Sequence, residues 1–144
     1  MFNLKDCIAF ITNKYNKEII EFFSKRLQGQ DITRVQWIAL YYIGDNEGIT
    51  QRNLSKILDS NESSIVRLID RMEKENIVRR EKDPTDRRIT KLYLTSEGMK
   101  KRNELLPIGE KFSKDCINGI KEEDLETFKK VLEKMVINLK NCSK

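Results

Sequence analysis

The stretch from Arg79 to Lys91 sets six cations (Arg79, Arg80, Lys82, Arg87, Arg88 and Lys91) against three carboxylates (Glu81, Asp83 and Asp86) around Pro84. Such a cluster can hold a polyanion through its guanidinium and ammonium groups, or it can keep a turn soluble and discourage edge-to-edge strand pairing. A turn alone needs no pair of arginines at its tip, and a protruding arginine is the shape that enters a narrow, electronegative minor groove. A second set lies between Asn61 and Lys74. Ser63, Ser64, Arg67, Arg71 and Lys74 occupy one side of a segment whose other side carries Ile65, Leu68, Ile69 and Met72. Asn, Ser and Arg supply the donors and acceptors that base edges and phosphates require. Arg67 is the candidate for a base contact, and Arg71 and Lys74 for phosphates. Glu62 is awkward near phosphates, although a carboxylate can accept from the amino group of cytosine.

Other chemistries lack their residues. The chain has no histidine, which removes Ser-His-Asp triads, HExxH zinc sites and Cys-His nucleophile pairs. Cys7, Cys116 and Cys142 are far apart and odd in number, so neither a CxxC motif nor a paired disulfide framework is suggested. No catalytic residue, metal ligand or cofactor is expected, and the chain is read as a non-enzyme. Its formal net charge of +5 is compatible with a polyanion partner without demanding one. No apolar run approaches the roughly 20 residues that span a bilayer. The start, "MFNLKDCIAF", lacks a signal-peptide layout, so a cytoplasmic location without a membrane partner is the default.

Elements must position these side chains. With 144 residues, 38% hydrophobic and 35% charged, and only 6 Gly and 2 Pro, the chain suits one helix-rich domain over 1–144. Leu4, Ile8, Ile11, Tyr15, Ile19 and Phe22 recur at three- and four-residue steps, predicting one long helix from Leu4 to Leu27. Thr33 and Gln36 have capping-box spacing ahead of an apolar segment from Val35 to Ile43. Thr50 caps a short helix from Gln51 to Leu58, and Asp59 or Asn61 caps the next, 61–75. Asn76 tolerates the left-handed position that ends it. "IVRREK" and "ITKLYL" then read as two strands, the second alternating Thr90, Leu92 and Leu94 against Ile89, Lys91 and Tyr93, with "DPTDRR" as the hairpin loop. Thr95 caps a helix toward Ile120 that Pro107 should kink. A last helix from near Glu122 carries Leu125, Phe128, Leu132, Met135 and Leu139, a seam that wants a partner helix. The class is mainly α (α+β), with a helix-turn-helix, a two-stranded β wing and long terminal helices.

The segment "ITQRNLSKILDSNESSIVRLIDRMEKENIVRREKDPTDRRITKLYLTSEG" resembles the winged helix-turn-helix of the MarR family of bacterial transcription regulators. Its wing carries the family signature as Asp86, Arg88, Leu94 and Thr95. The resemblance implies a homodimeric repressor, responsive to a ligand or to stress, that binds double-stranded DNA at a pseudo-palindrome. Residues 33–95 would form the DNA-binding region, with 1–30 and 96–144 for dimerisation. Arg88 would enter the minor groove, held by Asp86; Asn61, Ser63, Ser64 and Arg67 would lie on the DNA side; Arg52 and Arg87 would meet phosphates. Asp59 and Asn76 stand where the family commonly has glycine. The family layout also suggests a pocket for a small aromatic or phenolic effector among Phe10, Tyr15, Trp37 and Tyr41, although core packing is the ordinary role of such rings. Cys7 lies in the region where some relatives sense oxidants, but a cysteine on an apolar helix is commonly a small core residue. The alternative is a winged-helix module that docks protein rather than DNA.

Overall fold

The computed structural model describes residues 1–143. The apolar stripe at the N-terminus does not make one helix. A 3-10 turn, Leu4–Asp6, ends at Cys7, whose backbone is extended (φ −73°, ψ 117°), and α1 (Ile8–Arg26) begins beyond it. Periodicity reports a face rather than a hydrogen-bond pattern, so it runs through this break unmarked. α2 (Arg34–Asp45) opens with the predicted capping box: the Gln36 amide donates to Thr33 Oγ1 at 3.2 Å, and the Thr33 amide donates to Gln36 Oε1 at 3.1 Å.

β1 (Ile49–Thr50) follows, and Thr50 also caps α3 (Gln51–Ile57) by accepting from the Asn53 amide at 3.0 Å. α4 (Glu62–Lys74) is capped by Asn61, and Asp59 instead takes the left-handed turn conformation, φ 49°. β2 (Val78–Lys82) and β3 (Thr90–Leu94) pair antiparallel, with Arg80 opposite Leu92. The sheet has three strands in the order β1-β3-β2, where the sequence predicted a two-stranded hairpin, because Ile49 and Thr50 pair with Leu92 and Lys91. A two-residue strand is too short to show alternation.

The core joins Leu40 and Ile43 of α2 and Leu54 of α3 to Ile65, Ile69 and Met72 of α4, with Val78, Leu92 and Leu94 from the sheet. Each of the larger side chains contributes about 1.5–3 kcal/mol on burial, so the apolar face of α4 is held on the core and its polar side is turned outward.

α5 (Ser96–Ile117) ends three residues short of the predicted Ile120 and carries Pro107 in its interior. Its start is locked to the end of α4. Thr95 Oγ1 accepts from the Gly98 amide at 3.0 Å and donates to the Asn76 carbonyl at 2.6 Å, while the Thr95 amide donates to the Ile77 carbonyl at 3.2 Å. Gly98 lies so close to the Ile77 carbonyl that a Cβ there would overlap it. The chain divides into two compact units, Met1–Phe112 and Ser113–Lys144. In the second, α6 (Glu122–Cys142) half-buries Leu125, Leu132 and Met135 and leaves Phe128 and Leu139 exposed.

Gly98→Ala is expected to cost about 3 kcal/mol, as overpacking against rigid backbone does. Gly29→Ala, with φ 83° but no atom within 4 Å, should cost only the left-handed strain of about 1–2 kcal/mol. Urea unfolding of both variants checks the order.

Candidate nucleic-acid interface

The first turn of α4 spends part of its polar inventory on itself. Asn61 Oδ1 accepts from the Ser64 amide at 2.8 Å and from Ser63 Oγ at 2.7 Å, leaving Asn61 Nδ2 and the Ser63 oxygen lone pairs for other partners. Arg67 Nε donates to the Ser63 carbonyl at 3.4 Å. By helical spacing Ser63, Arg67 and Lys74 share the outer face, and Ser64 and Arg71 one flank. Glu62, Val66, Asp70 and Glu73 form the other flank. That acidic flank is met by arginines: Arg52 lies 3.9 Å from Glu62, and Arg80 reaches Asp70 at 2.6 Å and Glu73 at 3.3 Å. Glu62 therefore lies toward Arg52 of α3.

The wing is organised by two aspartates. Asp83 Oδ1 accepts from the Thr85 hydroxyl at 2.6 Å and from the amides of Thr85 (2.8 Å) and Asp86 (3.1 Å), and its Oδ2 lies 3.3 Å from Lys91 Nζ. The Thr85 hydroxyl, then the Thr85 amide and Lys91, hold its carboxyl well below the usual carboxylate range. Asp86 accepts from Arg88 Nε at 3.1 Å, Nη2 at 3.2 Å and the Arg88 amide at 3.0 Å, and the Arg88 side chain is the main cause of its lowered pKa. This brace leaves Arg88 Nη1 outside the pair and the side chain 91% exposed.

The remaining wing cations are not presented alike. Arg79 pairs with Glu81 at 3.0 Å and lies 4.3 Å above the Tyr93 ring. Lys82 Nζ donates to Thr90 Oγ1 at 3.1 Å. Arg80 is folded inward, and among the described residues neither Lys82 nor Arg87 makes an ion pair. Asp83 and Arg80 were missed by sequence reasoning as site residues. The Asp-Pro step was the available signal for Asp83, and the parity of Arg80 with the inward Val78 was the signal for the other.

Together these elements enclose an open groove of about 600 Å³, lined by Arg52 and Gln51 of α3, Glu62 of α4, and Asp86, Arg88 and Thr90 of the wing. Four of the residues singled out from sequence thus share one surface. The aromatic candidates divide. Trp37 stacks on Tyr41 at 6.3 Å and meets the edge of Phe23 at 5.1 Å, and its Nε1 donates to the Leu105 carbonyl at 2.9 Å. Phe10 and Tyr15 are exposed on α1, and neither stacks on Trp37 or Tyr41 among the described residues. Cys7 is half-buried at the start of α1. No group of three or more metal-ligating side chains occurs among the described residues.

The MarR family model matches residues 30–89. The transcriptional regulator HosA of Escherichia coli O111:H- is 32% identical over 106 residues, covering 74% of this chain and 78% of HosA. The chain belongs to the MarR family. A second likeness is to YsmB of Bacillus subtilis, an HTH-type transcriptional regulator, at 30% identity over 92% of this chain and 86% of YsmB. Among solved structures, the S. aureus MepR–DNA complex matches with a TM-score of 0.83 at 23% identity, covering 92% of this chain and 98% of MepR. BpsR of Bordetella bronchiseptica, described for regulation of its DNA binding by 6-hydroxynicotinic acid, matches with a TM-score of 0.85 at 17% identity, covering 94% and 97%. At these identities the structures establish the MarR fold. No helix of the described residues is long and apolar enough to cross a membrane.

The two wing aspartates set a pH dependence for this MarR-family wing. A carboxyl with a lowered folded pKa stabilises fully above its unfolded value, about 4, and loses that contribution as pH falls through the lowered value. The amide resonances of Thr85 and Arg88 should therefore hold their positions from pH 7 down through about pH 4 and move only below it. A titration midpoint at or above that value contradicts the brace.

Proposed function

We propose that this regulator acts as a homodimeric repressor, without catalysis and in the cytoplasm, gripping duplex DNA with α4 in the major groove and the wing tip in the adjacent minor groove. The groove that unites Arg52, Glu62, Asp86 and Arg88 carries the reading, because it sets a phosphate-seeking arginine, a helix N-terminus and a braced wing arginine on one surface. Arg67 is the base contact, with Asn61, Ser63 and Ser64 around it; Arg71, Lys74, Arg52 and Arg87 meet phosphates; Arg88 enters the minor groove. Half-sites then lie about one helical turn apart, roughly 34–36 Å. The DNA complex of MepR supports the docking mode by likeness of fold.

Exposed apolar side chains in each unit, Ile8 and Phe22 in one and Phe128 and Leu139 in the other, support a second copy as their cover. A small aromatic effector is supported by the Trp37–Tyr41 stack and by the response of BpsR to 6-hydroxynicotinic acid. Such an effector would act by preferring one of two arrangements of the dimer.

Binding to the DNA upstream of this chain's own gene, followed by fluorescence anisotropy at one fixed salt concentration, tests the assignment. Arg88→Ala should weaken binding with the fold intact by circular dichroism. Arg67→Ala should cost about 1–3 kcal/mol and relax preference at particular base pairs. Unchanged affinity in Arg88→Ala removes the wing from the interface.

A further inference from the structure

Arg80 is the most enclosed cation of the wing, its side chain 21% exposed. It lies on β2, yet its guanidinium turns away from the strand. Nε donates to Gln51 Oε1 on α3 at 2.7 Å, Nη1 to Asp70 Oδ1 and Glu73 Oε1 on α4 at 2.6 and 3.3 Å, and Nη2 to the Val66 carbonyl of α4 at 2.9 Å. The Arg80 amide also donates to Glu73 Oε2 at 3.2 Å. Every guanidinium nitrogen is engaged, and four of the five N–H donors are directed at acceptors within the protein.

Two consequences follow from the position of these partners. One guanidinium fork ties the wing, α3 and α4 together, on the flank of α4 next to its outer face. The same fork pairs with both carboxylates, Asp70 and Glu73, and offsets one of the two negative charges that would otherwise stand beside the side chains Arg67 and Lys74. We propose that Arg80 is a positioning residue for base readout: it fixes the rotation of α4 against the wing and holds the acidic flank of that helix, without touching DNA. This rests on α4 being the reading helix. Readout needs its side chains held within about 0.5 Å and 10–20° of the productive geometry, which packing of the apolar face alone does not set around the helix axis. Lysine cannot replace the fork, because a single ammonium cannot span Gln51, Asp70 and the Val66 carbonyl at once.

The test uses the full chain, a duplex that the wild type selects from a random pool, and a scrambled duplex of the same composition, each titrated across a salt series. Arg80→Lys keeps the charge and should melt within a few degrees of the wild type. It is expected to lose roughly tenfold or more of its preference for the selected duplex, a loss on the scale of one misread base pair, while binding the scrambled duplex as before. Arg80→Gln should show the same loss with the wild-type slope of log affinity against log salt. A slope lower by about 1 in Arg80→Gln marks a phosphate contact and overturns the proposal. So does undiminished preference in Arg80→Lys, which decides the matter alone if Arg80→Gln does not fold. A wild type without preference or salt dependence would instead remove the DNA-binding reading beneath it.

Discussion

The fold turns on the backbone at Asn76 and Ile77. Asn76 takes a left-handed conformation, φ 63°, so that its amide donates to the Glu73 carbonyl at 2.9 Å and the Ile77 amide to the Met72 carbonyl at 3.0 Å. This closes α4 by satisfying carbonyls that its last turn leaves open. The carbonyls of the same two residues then accept from Thr95, and Gly98 makes room for one of them. The end of α4, the base of the wing and the start of α5 therefore share one set of backbone hydrogen bonds. Asparagine suffices where glycine is common because its short polar side chain lowers the cost of the left-handed region.

A second constraint is electrostatic. α4 carries acids and bases in nearly equal number, and helical spacing sorts them into separate edges. The acidic edge is turned to Arg52 and Arg80. The outer face keeps Arg67 and Lys74 and the serine and asparagine of its first turn. The fold thus determines which charges are used inside it and which remain outside, a distinction that a local net charge cannot express.

Most of the architecture was legible because its signals are local. Capping residues Thr33, Thr50, Asn61 and Thr95 mark helix starts by the chemistry of their own hydroxyl or amide groups, and each makes the expected bond. The alternation of Thr90, Leu92 and Leu94 gave the buried side of β3. The placement of Asp86 against Arg88 is local too, two residues apart. What escaped was set by tertiary neighbours. β1 exists only because β3 lies beside it. Arg80 differs from Arg79 only in the side of the strand it faces, and its partners are 7 to 29 residues away. The nearness of Glu62 to Arg52 was also out of reach, because the apolar stripe defines where the core lies but not where α3 comes to rest.

Three arginines show how environment separates roles that composition merges. Arg102 of α5, 12% exposed, pairs with Asp45 at 2.8 Å and donates to the Leu40 and Tyr41 carbonyls at the end of α2, where Gly44 leaves space for it. Arg80 is enclosed in a comparable way. Stripping a partner from a buried charge costs about 3–5 kcal/mol, and these sites, less than fully buried, fall below that range but remain far from free to move. Arg88, by contrast, is held by a single carboxylate at the tip of an exposed loop. Exposed pairs of this kind are worth about 0–1 kcal/mol, a cost that a few phosphate or minor-groove contacts would exceed. Asp86 can therefore preorganise the Arg88 side chain without competing strongly for it. The three stand in order of release, from the structural Arg102 and Arg80 to the presented Arg88, and that order follows from burial and partner count alone.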